Sequence, residues 1–515
     1  MSNNESIISQ TPSSIYLMHK YWGKKPSKEL REIIEKYTKE NDLILDPFSG
    51  FGGIGIESIL LNRNIILNDL NPIANFISKN IIECDIDIKK LKNILSSLKN
   101  SYLSFEKKWY IYKDCKIIAI LRDKDDVPLM LKVQSQNGSI YSELTLNEQE
   151  RDAFLKEEKE FEIKTWYPNK LLIKNSRISA KENTRIGDLF PKRALICHSY
   201  LFDLISKLDE SKEKELIKMA FTANLANCSK LVPPISSRGR FAPGAWMTGF
   251  YIPNEYIENN VFHYFENRVK KVVKGKADLL KIKSETQQIG KFKITNNDAK
   301  NLKLEDNSID FVFTDFPYGD TVPYFEQSQL WNAWLKYNVD YENEIVVSDS
   351  GERNKTIDKY ANDIDLAIAE IHRVLKPGAL FVFTFHSLNG KEWTAISNSM
   401  AKNGFEFLDS KLLSQKTYTP RQLNRQNTIK GDMLVQYRKQ TNKSLDNVEN
   451  IQQILSDELK SNCIPTKRYE TNDLIVMCVN KMLSLNSSVD EVDFISVIKN
   501  NFDIDRELWR CRYEL

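Results

Sequence analysis

Residues 43–83 most constrain the fold, because they combine two short apolar runs with a glycine-rich turn and helical segments. The run LILD ends at Asp46 and the run NIILND ends at Asp69, so each predicted strand stops on an acid. PFSGFGG forms the turn after the first strand, and IGIESILLN has helical spacing. A second helix is expected from NPIANF, with Asn71 as its N-cap and Pro72 at its first position. This order predicts the start of a doubly wound α/β sheet.

The chain is too long for one such sheet alone, since 515 residues suggest two or more structural units. Its 41% hydrophobic and 28% charged residues are typical of a globular protein. We expect no membrane association, because no run approaches the roughly 18 apolar residues of a membrane span. The N-terminal MSNNESIISQ also lacks a signal-peptide pattern, which predicts a cytoplasmic location. A net charge of +3 neither demands nor excludes a nucleic-acid partner.

Cysteine and histidine usage predicts no metal site. The seven cysteines include no Cys-x-x-Cys pair, which argues against both a zinc ribbon and a disulfide framework. The five histidines show no ligand spacing and are interpreted as structural or loop residues.

The α/β pattern is interrupted and then resumes at KFKIT, residues 291–295. IDFVFTD (309–315) is a further strand, and a helix over 363–378 is expected to stop at Pro377–Gly378 before the strand ALFVFTFH. Between the two halves, β-like runs precede helical segments, and a helix is expected from YIENNVFHYF. We therefore predict four segments: 1–85, the first part of the sheet domain; 86–288, an inserted α+β module; 289–440, the second part of the sheet domain; and 441–515, a helical C-terminal extension.

The acids at the strand ends indicate which ligand the glycine turn binds. No lysine follows the glycines, so the turn does not fit a triphosphate-binding loop, whereas GFGGIG fits a dinucleotide fingerprint only weakly. Asp46 suits the positive amino group and sulfonium of S-adenosylmethionine better than a pyrophosphate. Asp69 is placed to accept hydrogen bonds from two ribose hydroxyls, and Asp298 from an adenine amino group. Gly50 and Gly52 let the backbone approach the ligand.

These segments together resemble the amino-methyltransferases of nucleic acids, the adenine-N6 and cytosine-N4 DNA methylases. The resemblance is carried by LDPFSGFGGIGIES, NDLNP and KITNNDAKNLKLEDNSIDFVFTDFPYGD, and HKYWGKKP (19–26) looks like the family's N-terminal motif that closes over the methionine end of the cofactor. It covers about 15–85 and 290–440 and implies a Rossmann-like methyltransferase sheet that binds S-adenosylmethionine. The cofactor-binding residues that it implies are Trp22, Asp46, Pro47, Phe48, Ser49, Gly50, Gly52, Asp69, Leu70, Asp298 and Ala299.

One feature departs from the family. Cofactor motifs precede the catalytic motif, as in the class with an internal recognition domain, but that class usually places the insertion between the third-strand acid and the catalytic motif. Here Asp298 lies shortly before Asp315, and the long insertion comes earlier. A target-recognition role for 86–288 is therefore an inference rather than a direct match.

TDFPYGD (314–320) matches the family's catalytic Asp-Pro-Pro-Tyr loop except at Phe316. An exocyclic base amine is a poor nucleophile, and acceptors around its hydrogens turn its lone pair towards the methyl group. Asp315 would supply one acceptor and the Phe316 carbonyl another, while Tyr318 would stack on a flipped-out base. Because Pro317 already restricts the residue before it, we expect Phe316→Pro to keep activity. As an isolated motif, the same stretch would be an ordinary turn after a strand.

Basic and aromatic residues near these motifs are candidate nucleic-acid contacts. SSRGRFAPGAW (236–246) is a flexible loop in which arginines would meet phosphates and aromatics would stack. The lysine-rich helix 267–276 would also meet phosphates or would simply be solvated. The individual candidates are Lys20, Lys24, Lys25, Arg238, Arg240 and Trp246.

The expected function is therefore transfer of a methyl group from S-adenosylmethionine to adenine N6 in double-stranded DNA, in restriction-modification or phage defence. Adenine is preferred to cytosine N4 because the motif begins with Asp rather than Ser. An RNA base methyltransferase, for example one acting on tRNA, stays open, as does a DNA-binding subunit whose catalysis Phe316 has weakened. No nuclease signature is evident, so a restriction or defence subunit would be a separate chain.

Overall fold

The computed structural model describes residues 11–135, 138, 141–246, 249–286, 288–350, 353–388, 390–414, 431–440, 447–464, 466–505 and 508–512. The residues on which the expected absence of a signal peptide rests, 1–10, lie outside this set.

The N-terminal part contains the predicted strand–turn–helix–strand–helix unit. Strands β1 and β2 are parallel, with Leu43 opposite Asn64. The Asn71 side chain precedes the last helix as expected, but it makes no capping hydrogen bond and instead donates to Ser328 at 2.9 Å. The elements are α1 (Ser13–Tyr16), α2 (Ser27–Tyr37), β1 (Leu43–Asp46), α3 (Gly53–Leu60), β2 (Asn64–Asn68) and α4 (Pro72–Ile82).

Residues 86–288 form a second sheet and its helices. The sheet has the order β3-β4-β5-β6, with β7 paired to the other side of β4. Arg122 on β4 ties the unit together, since its guanidinium contacts Glu258 on β7 at 2.5 Å and Glu158 on α6 at 2.6 Å. The elements are α5 (Ile88–Tyr110), β3 (Ile111–Tyr112), β4 (Cys115–Asp123), β5 (Pro128–Gln134), β6 (Tyr141–Thr145), α6 (Glu148–Glu160), α7 (Lys192–Ser206), α8 (Lys212–Leu225), β7 (Glu255–Asn259) and α9 (Val261–Thr286).

The principal sheet has seven strands in the order β11-β12-β10-β9-β1-β2-β8. Strands β10, β9, β1, β2 and β8 are parallel, and β12 is antiparallel to both of its neighbours. The strand order reverses between β1 and β9, where open α/β sheets bind ligands at the carboxyl ends. The elements are β8 (Phe292–Thr295), β9 (Ile309–Asp315), α10 (Tyr324–Trp334), α11 (Ile357–Val374), β10 (Leu375–Phe385), α12 (Gly390–Lys402), β11 (Phe405–Ser414) and β12 (Gly431–Lys439).

Two boundaries differ from the sequence expectations. Strand β7, EYIEN, includes most of the stretch YIENN that was expected to start a helix, because it pairs with β4. Pro377–Gly378 does not stop α11, which already ends at Val374; the pair lies inside β10, where the register with β9 shifts between Leu375 and Leu380. Gly378 takes φ +74° there, which glycine adopts readily in an irregular strand.

The C-terminal extension is more mixed than the expected helices. Its helices pack beside a three-stranded sheet, β14-β17-β16, and a two-stranded pair, β13-β15. Its buried residues share one core with β10, α11 and α12. The elements are β13 (Asn447–Val448), α14 (Ile451–Asn462), β14 (Arg468–Tyr469), α15 (Thr471–Ser484), β15 (Ser488–Val489), α16 (Phe494–Asn501), β16 (Phe502–Asp505) and β17 (Leu508–Cys511). None of the helices in the described ranges is long and apolar enough to cross a membrane.

Candidate active site

A cavity opens at the carboxyl ends of β1, β2 and β9. Every residue that the sequence predicts for the cofactor lines it except Gly52, and two of the predicted catalytic residues, Asp315 and Pro317, line it as well. Phe316 and Tyr318 are buried and are not among its lining residues. The lining residues that were not assigned to the cofactor or the catalytic loop are Tyr16, Tyr21, Gly23, Lys24, Lys25, Leu30, Phe51, Gly53, Ile54, Tyr324, Phe325, Asn343, Glu344 and Ile345.

The glycine turn is held in shape by Asp69. One carboxylate oxygen accepts the Gly50 N–H at 2.8 Å and the other accepts the Asn71 N–H at 2.8 Å. Gly50 has φ +46°, and a Cβ there would lie 3.1 Å from the Tyr21 ring. Gly52 has φ +82°, and a Cβ there would clash with Ser78 at 2.7 Å. Gly52 therefore serves close packing of the turn on α4, whereas Gly50 lines the cavity.

Asp46 is the most deeply buried acid of the cavity. Its Oδ1 accepts the Thr314 hydroxyl at 2.6 Å and the Phe48 N–H at 3.2 Å. Burial raises the pKa of Asp46 to about 8, against the lowering effect of these two hydrogen bonds. Burial likewise raises the pKa of Asp69 to about 6. Two buried carboxyls with raised pKa values favour a positively charged ligand, which would restore their ionised forms.

Asp298 and Ala299, after β8, also line the cavity. The Asp298 carboxylate accepts the Lys300 N–H at 2.9 Å and remains partly exposed. The preceding residue is tied to β2, because the Asn68 side chain donates to the Asn297 carbonyl at 2.9 Å. The loop after β8 is thus held against the end of β2, directly before Asp69.

The two oxygens of Asp315 have different surroundings. Oδ1 accepts the Tyr318 hydroxyl at 2.6 Å and the Thr384 hydroxyl at 2.5 Å, and the Lys25 ammonium lies 3.1 Å away. Oδ2 faces Gly23, where an added Cβ would lie 3.6 Å from it. Among the described residues no donor contacts Oδ2. The anchored oxygen therefore orients the carboxylate, and the other oxygen is directed into the cavity.

Lys25 connects this carboxylate to a second acid. Its ammonium contacts Asp432 at 2.8 Å as well as Asp315, and it donates to the Tyr318 hydroxyl. Burial lowers the pKa of Lys25, but the two carboxylates outweigh burial and raise it. Burial raises the pKa of Asp315, with Lys25 opposing and Asp432 adding to this shift. Lys25 therefore helps to keep Asp315 ionised and able to accept hydrogen bonds.

Phe316 explains how the loop does without the first proline. Its ring packs against Phe383 at 4.9 Å between centroids and against Phe48 of the glycine turn at 5.6 Å. Its N–H donates to the Thr384 carbonyl at 3.2 Å. The Tyr360 hydroxyl also donates to the Pro317 carbonyl at 2.9 Å. Tyr318 is buried, and its hydroxyl is bound to Asp315, so the structure does not bring its ring to the cavity for base stacking.

The candidate nucleic-acid contacts are placed differently from one another. The Lys24 ammonium turns inward and donates to the Tyr16 and His19 carbonyls, each at 2.6 Å, which corrects its expected contact with phosphate. Burial, with Lys20 adding, lowers the pKa of Lys24 to about 7. Lys20 is exposed, and its ammonium lies 4.5 Å from the centroid of the buried Trp246 ring.

The two arginines of the 236–246 loop are exposed. Arg238 ends a short 3₁₀ turn, and Arg240 pairs with Glu255 at 3.1 Å. Their expected contact with phosphate stays a prediction.

Sequence reasoning missed Lys25 and Asp432 as active-site groups and treated Lys25 as a phosphate contact. The position of Asp432 in the chain could have indicated its role. Asp432 lies at the start of β12, which is antiparallel to β10, so it lies at the same edge of the sheet as the carboxyl end of β10, where Thr384 contacts Asp315. The described residues contain no group of three or more His, Cys, Asp or Glu that could hold a metal ion.

The strand order and the acid-lined cavity at the reversal point define a Rossmann-like methyltransferase fold. A family model described as DNA methylase matches residues 2–116, which confirms over that range the resemblance to the N6/N4 family. A type II methyltransferase of Moraxella bovis is 51% identical over 47 residues. That match covers 9% of this chain and 17% of the relative, so it spans less than a fifth of that protein.

Solved structures show weaker likeness. An rRNA methyltransferase from Streptomyces viridochromogenes is 9% identical, with 83% of this chain and 92% of that chain covered at a TM-score of 0.30. A candidate DNA modification methylase from Thermus thermophilus, solved with S-adenosyl-L-methionine, is 13% identical, with 40% and 90% covered at a TM-score of 0.17. TM-scores this low carry no argument about fold or function.

We predict that Asp46→Asn stabilises the free protein at alkaline pH. The Asn oxygen can accept the hydrogen bonds from Thr314 and Phe48, and no buried charge remains. The wild-type carboxyl has a folded pKa of about 8 and an ordinary value of 3.8. The folded state therefore binds more protons than the unfolded state between these values, and wild-type stability falls as pH rises through that window.

Thermal unfolding at a series of pH values tests this prediction. The advantage of the variant should grow from pH 4 to pH 8, reach on the order of a few kcal/mol, and level off above pH 8. Asp298→Asn, a change at the partly exposed rim of the same cavity, is the matched control and should show no such growth. A constant difference between the Asp46→Asn variant and the wild type across the pH range would contradict the assignment of a buried, charge-penalised Asp46.

Proposed function

We propose that this protein is an S-adenosylmethionine-dependent DNA methyltransferase that modifies adenine at N6. The observation that carries the proposal is the contact between Thr314 and Asp46, which joins the cofactor-binding turn to the strand that ends in Asp315. The family match over residues 2–116 supports the reaction class.

The cavity fits the cofactor on the chemistry of its donors and acceptors. Asp46 and Asp69 are buried carboxyls in its wall, suited to an amino group and to hydroxyls. Trp22 Nε1 and Ser49 Oγ are buried polar atoms for which the described residues provide no hydrogen-bond partner. Atoms of this kind in a cavity wall indicate a ligand that satisfies them. S-adenosylmethionine, when bound, supplies an electrophilic methyl group.

The chain's own residues would activate and orient the target amine. Asp315 Oδ2 is the acceptor directed into the cavity, and the Phe316 carbonyl is the second acceptor expected from the loop. Together they would hold the amine so that its lone pair faces the methyl group, which is positioning with electrostatic stabilisation. Tyr324 and Phe325 line the cavity beside Asp315 and would contact the flipped-out base.

Residues 86–288 would recognise the target sequence, and residues 441–515 would support the outer strands of the sheet. Similarity to a type II methyltransferase supports a restriction-modification setting with a separate nuclease chain. We place the protein in the cytoplasm, because its proposed substrate is DNA. The Phe316 ring packs into the core and leaves Asp315 Oδ2 directed into the cavity, which supports an active enzyme over a catalytically weakened subunit.

Removal of the acceptor should abolish transfer without loss of cofactor binding. We expect Asp315→Asn to lower methyl transfer to duplex DNA by about 10²- to 10³-fold, since the amide presents a donor where an acceptor is needed. Transfer of labelled methyl groups, calorimetric binding of S-adenosylmethionine and mapping of the modified base provide the readouts. Asp310→Asn, at the opposite end of β9, is the control. Unchanged transfer in Asp315→Asn would refute the catalytic assignment. Labelled methyl groups found in cytosine, or only in RNA, would refute adenine N6 of DNA as the target.

Lys25 should influence catalysis through the ionisation of Asp315. Loss of its charge in Lys25→Met leaves Asp432, Tyr318 and Tyr324 around the carboxyl and raises the pKa of Asp315 further. The acidic limb of the pH–rate profile should move to higher pH, with partial recovery of rate under alkaline conditions. Lys25→Arg, which keeps the charge, should show a smaller shift. A uniform loss of rate at every pH would instead indicate a purely structural role.

The structure revises the expectation for Phe316. Proline at this position would remove the N–H that donates to Thr384 and the ring that packs between Phe48 and Phe383. We now expect Phe316→Pro to lower the free energy of unfolding by about 3 kcal/mol or more and to reduce transfer. Phe316→Leu keeps the N–H and much of the volume and should retain most activity. A fully active proline variant of wild-type stability would restore the original expectation.

A further inference from the structure

The N-terminal segment before β1 lies along one face of α9. Ser14 donates to the Asp278 carboxylate, and the Met18 side chain occupies the space beside Gly275, where an added Cβ would lie 2.6 Å from it. Gly275 and Asp278 are three residues apart and therefore share a helix face. The segment thus runs antiparallel to α9.

The same face continues towards the start of α9 with Lys271 and Arg268. These positions lie four and seven residues before Gly275, so they follow the same stripe of the helix. His19 fixes the end of the segment, because its Nε2 lies 3.1 Å from the Thr222 hydroxyl on α8. Lys20, the next residue, is near enough to Arg268 for the two charges to repel each other. We name the group of Lys20, Arg268 and Lys271 the cationic patch.

The cationic patch has no counter-charge of its own. Partial burial of the otherwise exposed Lys20 lowers its pKa, and repulsion from Arg268 lowers it further. Lys271 shows the same two effects, and burial also lowers the pKa of Arg268. Within the described ranges, none of the three makes an ion pair with a carboxylate. A partly exposed surface on which Arg268 repels two lysines is complementary to an anion with several charges.

The patch borders the cavity. The Lys20 ammonium lies 4.5 Å from the Trp246 ring centroid, and Trp246 packs edge-on against Trp22 at 6.3 Å. Trp22 itself lines the cavity. A strand whose target nucleotide enters the cavity would therefore pass its neighbouring phosphates over Lys20 and the start of α9.

We propose that Lys20, Arg268 and Lys271 bind the backbone phosphates of duplex DNA next to the nucleotide that enters the cavity. This inference rests on the proposed function and deepens it, since it places the substrate backbone at the junction of the N-terminal segment and the inserted module. The contacts are to phosphate and carry no base specificity.

Salt-dependent binding tests the proposal. The probe is a fluorescent DNA duplex, with anisotropy read over a range of potassium chloride concentrations. Each of Lys20→Gln, Arg268→Gln and Lys271→Gln should weaken binding and reduce the slope of log affinity against log salt by about 1, and the triple variant by about 3. Because Arg268 is partly buried, the two exposed lysines keep the test decisive if Arg268→Gln unfolds.

Lys270→Gln is the matched control. Lys270 lies on α9 outside the stripe, its replacement carries the same change in charge, and it already pairs with Glu266 at 3.4 Å. This variant should leave the slope unchanged. Equal losses in patch and control variants would overturn the proposal, as would tighter binding of single-stranded RNA with the same residue dependence.

Methyl transfer separates this inference from the function on which it rests. If the wild-type protein methylates DNA and the patch variants bind DNA as tightly as the wild type, the patch is refuted and the proposed reaction stands. Conversely, if the wild-type protein transfers no methyl group but the patch variants lose DNA binding, the proposed reaction is refuted. The patch then remains a DNA-binding surface.

Discussion

The hydrogen bond from Thr314 to Asp46 joins the two halves of the site, and the rest of the arrangement depends on it. It links neighbouring parallel strands, β1 and β9, at the point where the strand order of the sheet reverses. Residues far apart in the chain thereby present their acids at one edge. The aromatic contact of Phe48 with Phe316 repeats the connection beneath the cavity, so the glycine turn and the catalytic loop form one packed unit.

The buried acids of the site differ in whether a cation lies beside them. Asp46 and Asp69 are buried and form no ion pair with any residue of the described ranges; burial raises their pKa values and lowers the stability of the free protein. Asp315 is also buried, but Lys25 partly offsets the cost. The first pair suits a charged ligand that arrives from solution, whereas Asp315 has a resident cation that preserves its ability to accept hydrogen bonds. This division matches a cofactor site beside a catalytic acceptor.

Local sequence patterns predicted the central elements well because each carries its own signal. The strands that end at Asp46 and Asp315, and the strand that Asp69 directly follows, are apolar runs bounded by an acid, and nearly all of the predicted cofactor residues line one cavity. Elements that depend on a distant partner were missed or misjudged. Strand β7 exists because β4 offers an edge, and Pro377–Gly378 is accommodated by a register shift within β10. No local pattern contains that information.

The sequence by itself determined the doubly wound sheet, the positions of its acids and the motif of the catalytic loop, because strand periodicity and strand-end chemistry are local properties. Only the tertiary structure decided which side chains meet. It turned Lys24 inward, brought Lys25 to Asp315 and Asp432, and set Lys20 against Arg268. Similar lysines in one short segment thus have different surroundings, because burial and neighbouring charges, rather than residue type, determine what a cation does.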